Sequence, residues 1–320
     1  MSKADGRTVL VTGAAGFIGS HLSEALVARG DTVIGIDNFD PYYDPEIKRR
    51  NVAGLLAGER LTLIEGDIND PQALAAAFAP GIHGVIHLAA KAGVRPSIAQ
   101  PLDYARANVE GTTAVLEAAR RHGVARFVFG SSSSVYGAAN EVPFSEDQRI
   151  DRPISPYAAT KVAGEALCHT WHHLYGLPIV MLRFFTVYGP RQRPDLAINK
   201  FVRLLDGGEP IPQFGDGSSS RDYTFVADIV RGIIAAYDSD LDFEIINLGG
   251  SSPIRLDELI AAVGAAVGVA PVIEVLPDQP GDVPRTYASV EKAQRLLGWE
   301  PRVPLAEGLR AFVAWYREQP

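Results

Sequence analysis

The chain has 320 residues, of which 47% are hydrophobic and 21% are charged, and its formal net charge is −8. This composition allows one large buried core, or a core with a smaller lobe. The negative charge argues against extensive nucleic-acid binding, although a local arginine cluster would still permit an anionic small-molecule substrate. A single cysteine, Cys168, excludes an intramolecular disulfide, and no Cys/His spacing is typical of a zinc site.

No segment approaches the roughly 20 uninterrupted apolar residues that a membrane span needs. The N-terminal residues pass directly into a strand-like segment, TVLVTG, with no leader pattern before it. We therefore expect a cytoplasmic protein, in a reducing compartment, with no membrane partner.

From the N-terminus, short apolar segments rich in β-branched residues alternate with helical segments. The strand-like segments are TVLVTG, TVIGID, LTLIEGD, GVIHLAA and RFVFGSS, and the helical ones include HLSEALVARG, PQALAAAFA and EGTTAVLEAARRHG. This alternation is typical of βαβ units around a buried parallel sheet. A long helix, YAATKVAGEALCHTWHHLYG, should end at Gly176, and PIVMLRFF should form a further buried strand.

The composition changes after about residue 187. Two segments rich in Pro, Gly, Ser and Arg, VYGPRQRPD and EPIPQFGDGSSSRDY, flank the helical segment INKFVRLLDGG. FVADIVRGIIAAY and FEIINLGG then return to helix and strand and should extend the first sheet. We therefore predict an α/β fold with a doubly wound parallel sheet of Rossmann type, formed by residues 1–187 and 224–250. Residues 188–223 and 251–320 should form a smaller mixed α/β lobe that contacts the substrate.

A glycine-rich turn, GAAGFIG at residues 13–19, joins the first strand to the first helix. Small residues there let the backbone approach a pyrophosphate, whose charge the helix N-terminus stabilises. The next strand ends in Asp37, whose carboxylate can bind both hydroxyls of an adenosine ribose and would repel a 2′-phosphate. Neither Asn38 nor Phe39 supplies an arginine for such a phosphate. The sequence therefore predicts NAD as the cofactor in preference to NADP.

Two further segments end parallel strands at the sheet edge where such folds bind ligands. Asp67, in the first, can accept a hydrogen bond from an adenine amino group or can cap the following helix. Lys91, in the second, can reach a phosphate or ribose, or can be a solvated loop lysine. The predicted cofactor contacts are Gly13, Gly16, Phe17, Ile18, Gly19, Asp37, Asn38, Asp67, Ile68, Leu88, Ala89, Ala90, Lys91, Asn108, Tyr157 and Lys161.

Tyr157 and Lys161 lie at i and i+4 of the long predicted helix and so share one face. A tyrosine acts as a base near neutral pH only when positive charge lowers its pKa from the usual ~10. Lys161 and an oxidised nicotinamide ring can both supply that charge. Ser132, at the end of the strand RFVFGSS, can hold a substrate hydroxyl for proton removal. The predicted catalytic residues are therefore Ser132, Tyr157 and Lys161.

Three histidines on the same helix, His169, His172 and His173, have a spacing that suggests a metal site. No acid or further histidine completes a ligand set, so we predict no metal site.

The segments GAAGFIGSH, LAAKAGVR, SSSSVYG, YAATK and RFFTVYGP together resemble the extended short-chain dehydrogenase/reductase superfamily over essentially the whole chain. AGVRPS, LRFFTVYGP with RPD after it, and QPGDVPRTYA resemble the UDP-glucuronate 4-epimerases within it. This resemblance implies transient oxidation of C4 to a ketone, rotation of the keto-sugar and return of hydride to its other face. It also implies a homodimer formed by helices near 105–121 and 157–175.

The resemblance also implies a nucleotide site in the second lobe. Arg221 resembles the arginine that binds the diphosphate, Gln213 lies in the uridine-flanking segment, and Asp282 lies in a loop that contacts the nucleotide ribose. Gln279 stands where many family members have arginine, which leaves Arg221, with Arg285 as a candidate, to bind the diphosphate. Arg95 can contact the substrate or can pair with Asp103.

Oxidation of a uronic acid at C4 creates a β-keto acid, which loses carbon dioxide unless its carboxylate is held still. Thr186, Arg193 and either Ser133 or Ser134 offer the hydroxyl and guanidinium groups for such a clamp. Arg193 can alternatively be a surface-loop arginine. The predicted substrate contacts are Arg95, Ser133, Ser134, Thr186, Arg193, Gln213, Arg221, Gln279 and Asp282.

Four alternative functions stay open from the sequence. A UDP-glucose/UDP-galactose 4-epimerase differs only in a neutral C6 group, and a UDP-glucuronate decarboxylase needs only a looser carboxylate. SSSSVYG lacks the Asp-Glu pair of the dehydratases, which disfavours that reaction. An intact Tyr157 and Lys161 disfavour a catalytically silent NAD-binding regulator.

Overall fold

A computed structural model describes residues 6–78, 81–138, 140–277 and 283–319. The strands are β1 (Thr8–Thr12), β2 (Thr32–Asp37), β3 (Leu61–Glu65), β4 (Ile82–His87), β5 (Arg126–Ser132), β6 (Ile179–Phe184), β7 (Thr186–Tyr188), β8 (Ile211–Phe214), β9 (Ser220–Phe225), β10 (Phe243–Leu248), β11 (Pro253–Arg255) and β12 (Ile273–Leu276). The helices are α1 (Phe17–Ala28), α2 (Pro45–Leu56), α3 (Pro71–Ala77), α4 (Val94–Ala99), α5 (Pro101–Ala105), α6 (Gly111–Arg121), α7 (Pro156–Tyr175), α8 (Ala197–Asp206), α9 (Val226–Asp238), α10 (Leu256–Val267), α11 (Glu291–Leu297) and α12 (Leu305–Arg317). One π-helical turn, Arg106–Glu110, and one 3-10 turn, Ser133–Tyr136, complete them.

The principal sheet has seven strands in the order β3-β2-β1-β4-β5-β6-β10. Each neighbouring pair in it is parallel. The order reverses between β1 and β4, and ligands bind at the carboxyl ends of the strands on either side of such a reversal. The predicted doubly wound Rossmann-type fold is confirmed, and β10 extends this sheet beside β6 as predicted.

Helices cover both faces of this sheet because successive side chains of each strand point to opposite sides. On one side, Val9 and Val11 of β1 pack in a core with residues of α1 and α9. On the other side, Leu10 packs in a core with residues of α3, α6 and α7. All three β1 side chains are fully buried, and burying an apolar side chain of this size contributes about 1.5–3 kcal/mol.

Helix α7, which carries the predicted catalytic pair, has clear start and stop signals. The Ser155 hydroxyl caps its first turn by accepting a hydrogen bond from the Ala158 N–H at 3.1 Å, and Pro156 occupies the first helical position. Gly176 ends the helix in the left-handed conformation, with φ +66°, as predicted. The cap fixes where the first turn, and therefore Tyr157, lies.

The second lobe contains a three-stranded sheet, β11-β9-β7, and a two-stranded parallel sheet, β12-β8. Helices α8, α10 and α12 share a separate apolar core that includes Phe201, Leu259, Ile260 and Phe312. The domain boundaries at residues 187/188, 223/224 and 250/251 stay a prediction. Within the described ranges, no helix is long and apolar enough to span a membrane.

Candidate active site

A cavity of about 770 Å³ lies at the carboxyl ends of the central strands, on both sides of the point where the strand order reverses. It brings together most of the predicted site residues: Gly13, Gly16, Phe17, Ile18, Gly19, Asp37, Asn38, Asp67, Ile68, Leu88, Ala89, Ala90, Lys91, Ser132, Ser133, Ser134, Tyr157, Lys161, Thr186 and Arg193. Asn108, Arg95, Gln213 and Arg221 are not part of its lining. Gln279 and Asp282 lie outside the described residues.

The glycine turn leaves room for a ligand only because side chains are missing. Gly13 has φ +72°, and a Cβ there would lie 2.9 Å from the Ala89 nitrogen. A Cβ on Gly19 would lie 2.0 Å from the Gly13 carbonyl oxygen. Helix α1 begins next to this turn with no side-chain cap and no acid in its first turn. Its N–H groups are therefore suited to an anion, and the turn fits a dinucleotide pyrophosphate.

Replacing Gly19 with alanine should displace the glycine turn, because the added methyl group overlaps the Gly13 carbonyl. We expect the purified variant to retain at least about tenfold less dinucleotide than the wild type, since a backbone shift of this kind removes aligned N–H donors. Gly54→Ala is the control, because a Cβ there meets no atom within 4 Å. Chromatography of nucleotide released from equal amounts of protein measures the effect, and equal content in both variants would contradict the assignment.

Asp37 occupies the end of β2, as predicted, and is 7% exposed. Its Oδ2 accepts a hydrogen bond from the Ala15 N–H at 3.1 Å, and its Oδ1 accepts one from the Phe39 N–H at 2.9 Å. The Lys48 ammonium lies 3.8 Å from Oδ1. Asp37 therefore orders the glycine turn itself, and its second lone pairs face the cavity, where a ribose can bind.

Asp67 does not cap the following helix. Its carboxylate accepts hydrogen bonds from the Asn69 N–H at 2.8 Å and the Asn38 side-chain amide at 3.0 Å. Asp70 is the residue that caps α3. Burial raises the pKa of Asp67, but these hydrogen bonds outweigh it, so the pKa is lowered and the group is a carboxylate. The helix-cap interpretation of Asp67 is therefore wrong.

Lys91 is only partly exposed and pairs with two acids. Its ammonium lies 3.2 Å from Asp40 and 3.9 Å from Asp103. Asn108, a predicted cofactor contact, is not part of the cavity lining. Its buried side chain accepts from the Lys91 N–H at 2.8 Å and donates to the Lys91 carbonyl at 2.9 Å and to the Thr160 hydroxyl at 2.9 Å. Asn108 thus connects the Lys91 segment to helix α7, because its side-chain amide makes hydrogen bonds to both.

Ser132, Tyr157 and Lys161 meet at the junction of β5 and α7. Burial raises the pKa of Tyr157, while its hydrogen bond with Ser132 and the charge of Arg193 lower it. The Lys161 ammonium donates to the Gly130 carbonyl at 2.7 Å. We expected Lys161 to supply positive charge to Tyr157. In the structure Arg193 lowers the pKa of Tyr157, but burial outweighs it and the pKa is raised above its usual value.

Arg193 faces the cavity from the loop after β7 and is not a free surface arginine. Its guanidinium donates to Asp195 from Nε at 3.0 Å and from Nη2 at 2.8 Å, and to the Ala92 carbonyl at 3.2 Å. The group also lies 5.2 Å from the centre of the Tyr42 ring. Thr186 begins β7 and lines the same cavity. Arg193, Thr186, Ser133 and Ser134 therefore all line the cavity.

Sequence reasoning missed a group of cavity residues in the segment after β2 and the first turn of α2: Asp40, Tyr42, Tyr43 and Lys48. Tyr42 donates a hydrogen bond to Asp195 at 3.3 Å, which links this segment to the Arg193 loop. The available signal was the segment DPYYDP, in which aromatic and acidic residues follow shortly after Asp37. Aromatic and charged side chains placed there can only face the ligand crevice or solvent.

A buried histidine was also missed. His87 lies at the end of β4 between the Thr12 and Thr112 hydroxyls, at 2.7 and 3.1 Å. Burial lowers its pKa to about 3, so the ring is neutral. The Thr12 hydroxyl in turn accepts from the N–H groups of Leu88 and Ala89, at 3.1 and 3.0 Å. The histidine thus supports the strand ends that line the cavity.

Of the residues predicted to bind the nucleotide, Gln213 and Arg221 lie in the second lobe and Arg95 lies on α4. The Arg95 guanidinium lies 5.5 Å from the centre of the Phe214 ring, next to Gln213 on β8. Arg221 donates to the Ser220 carbonyl at 2.9 Å, and a β-bridge pairs Ser220 with Arg285. These arginines therefore come from separate elements, outside the lining of the cavity.

His169 and His173 stack at a centroid distance of 6.1 Å, whereas His172 packs on Phe243 at 4.8 Å. Among the described residues, no group of three or more His, Cys, Asp or Glu side chains is placed to hold a metal ion.

The chain is similar to known proteins over nearly its whole length. Residues 9–249 match the family described as NAD dependent epimerase/dehydratase. A UDP-glucuronate 4-epimerase of Thermodesulfobacterium geofontis is 43% identical over 311 residues, which cover 97% of this chain and 96% of that protein.

Among solved structures, a UDP-glucuronic acid 4-epimerase from Bacillus cereus in complex with UDP-glucuronic acid and NAD has a TM-score of 0.91 and 37% identity. The match covers 97% of this chain and 99% of that one. A UDP-glucose 4-epimerase from Thermotoga maritima with UDP-glucose has a TM-score of 0.89 and 32% identity, with the same coverage of 97% and 99%.

Proposed function

The chain belongs to the NAD-dependent epimerase/dehydratase family, and on that premise we propose that it interconverts UDP-glucuronate and UDP-galacturonate by inverting C4. One observation carries this proposal: Ser132, Tyr157, Lys161 and Arg193 line the same cavity as the glycine turn. That cavity therefore holds a proton-transfer pair, a dinucleotide cradle and a cation suited to a carboxylate.

The cofactor is NAD, which when bound accepts hydride from C4 of the sugar and returns it. The residues that would hold it are those of the turn 13–19, Asp37 and Lys161. Asp37 favours NAD over NADP, because a 2′-phosphate would approach a carboxylate that already accepts two backbone N–H groups.

Tyr157 takes the proton of the C4 hydroxyl as the sugar is oxidised and returns it when the ketone is reduced. Ser132, which is hydrogen-bonded to Tyr157, keeps the C4 oxygen in line with the phenol. Positive charge favours the Tyr157 phenolate against the effect of burial: Arg193 lowers the pKa of Tyr157, and Lys161 lies one helical turn away on the same face of α7. The sugar must turn over between the two steps, so inversion results with no net oxidation.

A uronate substrate needs groups that hold its carboxylate, because its 4-keto form is a β-keto acid. Arg193 offers five N–H donors, three of which serve Asp195 and Ala92, so donors remain for a substrate carboxylate. Thr186, with Ser133 or Ser134, supplies further hydroxyl donors from the lining of the same cavity. A carboxylate fixed by these groups cannot turn perpendicular to the ketone, and loss of carbon dioxide is suppressed.

The nucleotide part of the substrate extends into the second lobe. Arg221, Arg285 and Arg95 are the cations for the diphosphate, and Gln213 flanks the uracil. Gln279 and Asp282 stay predicted contacts of the diphosphate and ribose. The arginine stacked on Phe214 supports this arrangement, because an immobilised guanidinium loses less entropy when it binds a phosphate.

Incubation with UDP-glucuronate, without added NAD, tests the function. Proton NMR should show the C4-inverted sugar accumulating to the same mixture from either direction. Rapid turnover of UDP-glucose with no conversion of UDP-glucuronate would instead identify a hexose 4-epimerase. Release of carbon dioxide with a pentose product would identify a decarboxylase.

We also propose that the enzyme is a cytoplasmic homodimer. Apolar side chains on α4, α5 and the end of α7 support the dimer, since Ile98 is 55%, Leu102 82% and Leu174 60% exposed. We expect the second copy of the chain to cover these side chains. Light scattering of the purified protein should give twice the mass of one chain.

A further inference from the structure

Beneath the cavity, a buried ion pair joins helix α7 to strand β6. Arg183 is 1% exposed and Glu165 is 4% exposed. The guanidinium donates to both carboxylate oxygens, at 2.9 and 2.8 Å. The Ser131 hydroxyl donates to the same carboxylate at 2.5 Å. Because such a pair is costly to break, it fixes the Glu165 carboxylate in one place.

Three residues of α7, spaced one helical turn apart, face the end of β5. Tyr157, Lys161 and Glu165 lie at i, i+4 and i+8 and so share one helix face. They face consecutive residues of β5: the Lys161 ammonium donates to the Gly130 carbonyl at 2.7 Å, Glu165 accepts from Ser131 at 2.5 Å, and Ser132 lowers the pKa of Tyr157. The Glu165–Ser131 hydrogen bond is therefore a further contact that fixes how α7 packs on β5, and so where Ser132 lies relative to Tyr157.

Arg183 is itself held from the other side. Its Nη1 donates to the Tyr136 hydroxyl at 2.9 Å, and that hydroxyl donates to Asn247 at 2.7 Å. The Asn247 amide then donates to the Phe144 carbonyl at 2.9 Å. The orientation of Arg183 is thus set independently of α7, so the arginine can act as a fixed anchor for Glu165.

We propose that Glu165, anchored by Arg183, is a positioning residue for the epimerisation. It holds β5 against α7 so that Ser132 and Lys161 are positioned for Tyr157, and it places an anion one helical turn from Lys161. The proposal rests on the function proposed above, because Tyr157 and Lys161 matter only if that chemistry occurs.

The effect of Glu165 on the pKa of Lys161 follows from the groups around the ammonium. In the described part of the chain they are Tyr157, Glu165 and Cys168 from α7, His87 from β4 and, behind Glu165, Arg183 from β6. Burial lowers the pKa of Lys161 to about 8, and Cys168 and Glu165 raise it. Burial keeps His87 neutral and raises the pKa of the Cys168 thiol. Glu165 is therefore the anion that opposes loss of the Lys161 proton.

Glu165→Gln tests the proposal, because it keeps the shape of the side chain and removes its charge. We expect kcat to fall by about 10–100-fold with KM changed by less than about threefold, since a misplaced reacting group costs turnover and leaves ground-state binding intact. The Lys161 ammonium should also lose its proton at lower pH, which moves the basic limb of the kcat profile to lower pH.

Asp228→Asn is the control, because Asp228 is also a buried carboxylate, 1% exposed and paired with Arg231. It should lower Tm and leave kcat unchanged.

A second measurement needs no substrate. Labelling of Lys161 with an amine reagent across pH, in full-length protein freed of nucleotide and followed by mass spectrometry, reports its pKa directly. The apparent pKa should be lower in Glu165→Gln than in the wild type and unchanged in Asp228→Asn. Because this measurement needs no sugar, it judges the positioning proposal even if the wild type fails to convert UDP-glucuronate, a failure that would contradict only the proposed function.

Glu165→Gln leaves Arg183 without a charge partner, so the double variant Glu165→Leu/Arg183→Met removes both charges together. Apolar replacement of a buried ion pair is often neutral for stability, and this variant should fold and still show the low kcat and the lower Lys161 pKa. A folded double variant with wild-type kcat and wild-type Lys161 titration would overturn the proposal. If neither variant folds, Ser131→Ala tests the positioning role of Glu165. Its kcat should fall by about fivefold with KM unchanged. A wild-type kcat in this variant would overturn the proposal.

Discussion

Replacement of Tyr157 by phenylalanine is expected to lower kcat for UDP-glucuronate epimerisation by about 10³-fold, within the usual range for removal of a general base. The ring stays in place, so its edge-to-face contact with Tyr104, at 6.2 Å between centroids, should survive. Only the hydroxyl that exchanges the C4 proton is lost. Steady-state kinetics with UDP-glucuronate should therefore show a large loss in kcat and a small change in KM.

Tyr237→Phe is the matched control. Tyr237 is also buried, at 2% exposed, and its hydroxyl has no hydrogen-bond partner in the described part of the chain. It lies between β4 and the arginines Arg7 and Arg29, away from the cavity. This variant should keep wild-type turnover. A Tyr157→Phe enzyme with a kcat near that of the control would show that another group moves the proton.

Replacement of Arg193 by alanine is expected to separate the two substrate classes. Loss of charge-assisted hydrogen bonds to a carboxylate costs about 1.5–3 kcal/mol, which is about 10–100-fold in kcat/KM for UDP-glucuronate. UDP-glucose has no carboxylate, so its kcat/KM should fall only by the few-fold that follows from losing positive charge near Tyr157. Some of the remaining uronate turnover should end in decarboxylation, because the keto acid is less firmly held.

Arg191→Ala serves as the control, since Arg191 lies in the same loop but pairs with Glu24 at 3.2 Å, outside the cavity. It should leave both substrates unaffected. Measurement of kcat/KM for UDP-glucuronate and UDP-glucose on both variants tests the carboxylate role. Equal losses on the two substrates in Arg193→Ala would rule that role out.

The fold was predictable from the sequence because local signals and topology agree. The alternation of apolar segments with helical ones indicates parallel strands, and the glycine turn with Asp37 after the next strand locates the sheet edge that binds ligand. Ser155, Pro156 and Gly176 mark both ends of α7. The family resemblance and the use of NAD, both inferred from short motifs, are confirmed.

Features that depend on long-range packing were not predictable. Asn108 is bonded to Thr160, and Arg193 reaches Ala92, far away in the chain. Helix α2 was missed because its segment PEIKRRNVAGLL carries many charges, and so was Lys48 within it. The direction of the Tyr157 pKa shift depends on burial, which the spacing of Tyr157 and Lys161 does not reveal. Sequence motifs therefore identify the candidate catalytic residues, while the tertiary fold determines which charged groups shift the pKa of Tyr157.

In the proposed reaction the same hydride leaves C4 and returns to it within one active site. UDP-glucuronate carrying deuterium at C4 can be incubated in ordinary water with the purified protein and no added NAD. The product should be UDP-galacturonate that keeps the deuterium at C4, as seen by NMR and mass spectrometry. Product that has exchanged this deuterium for solvent hydrogen would contradict it, because inversion would then proceed without hydride transfer to a retained cofactor.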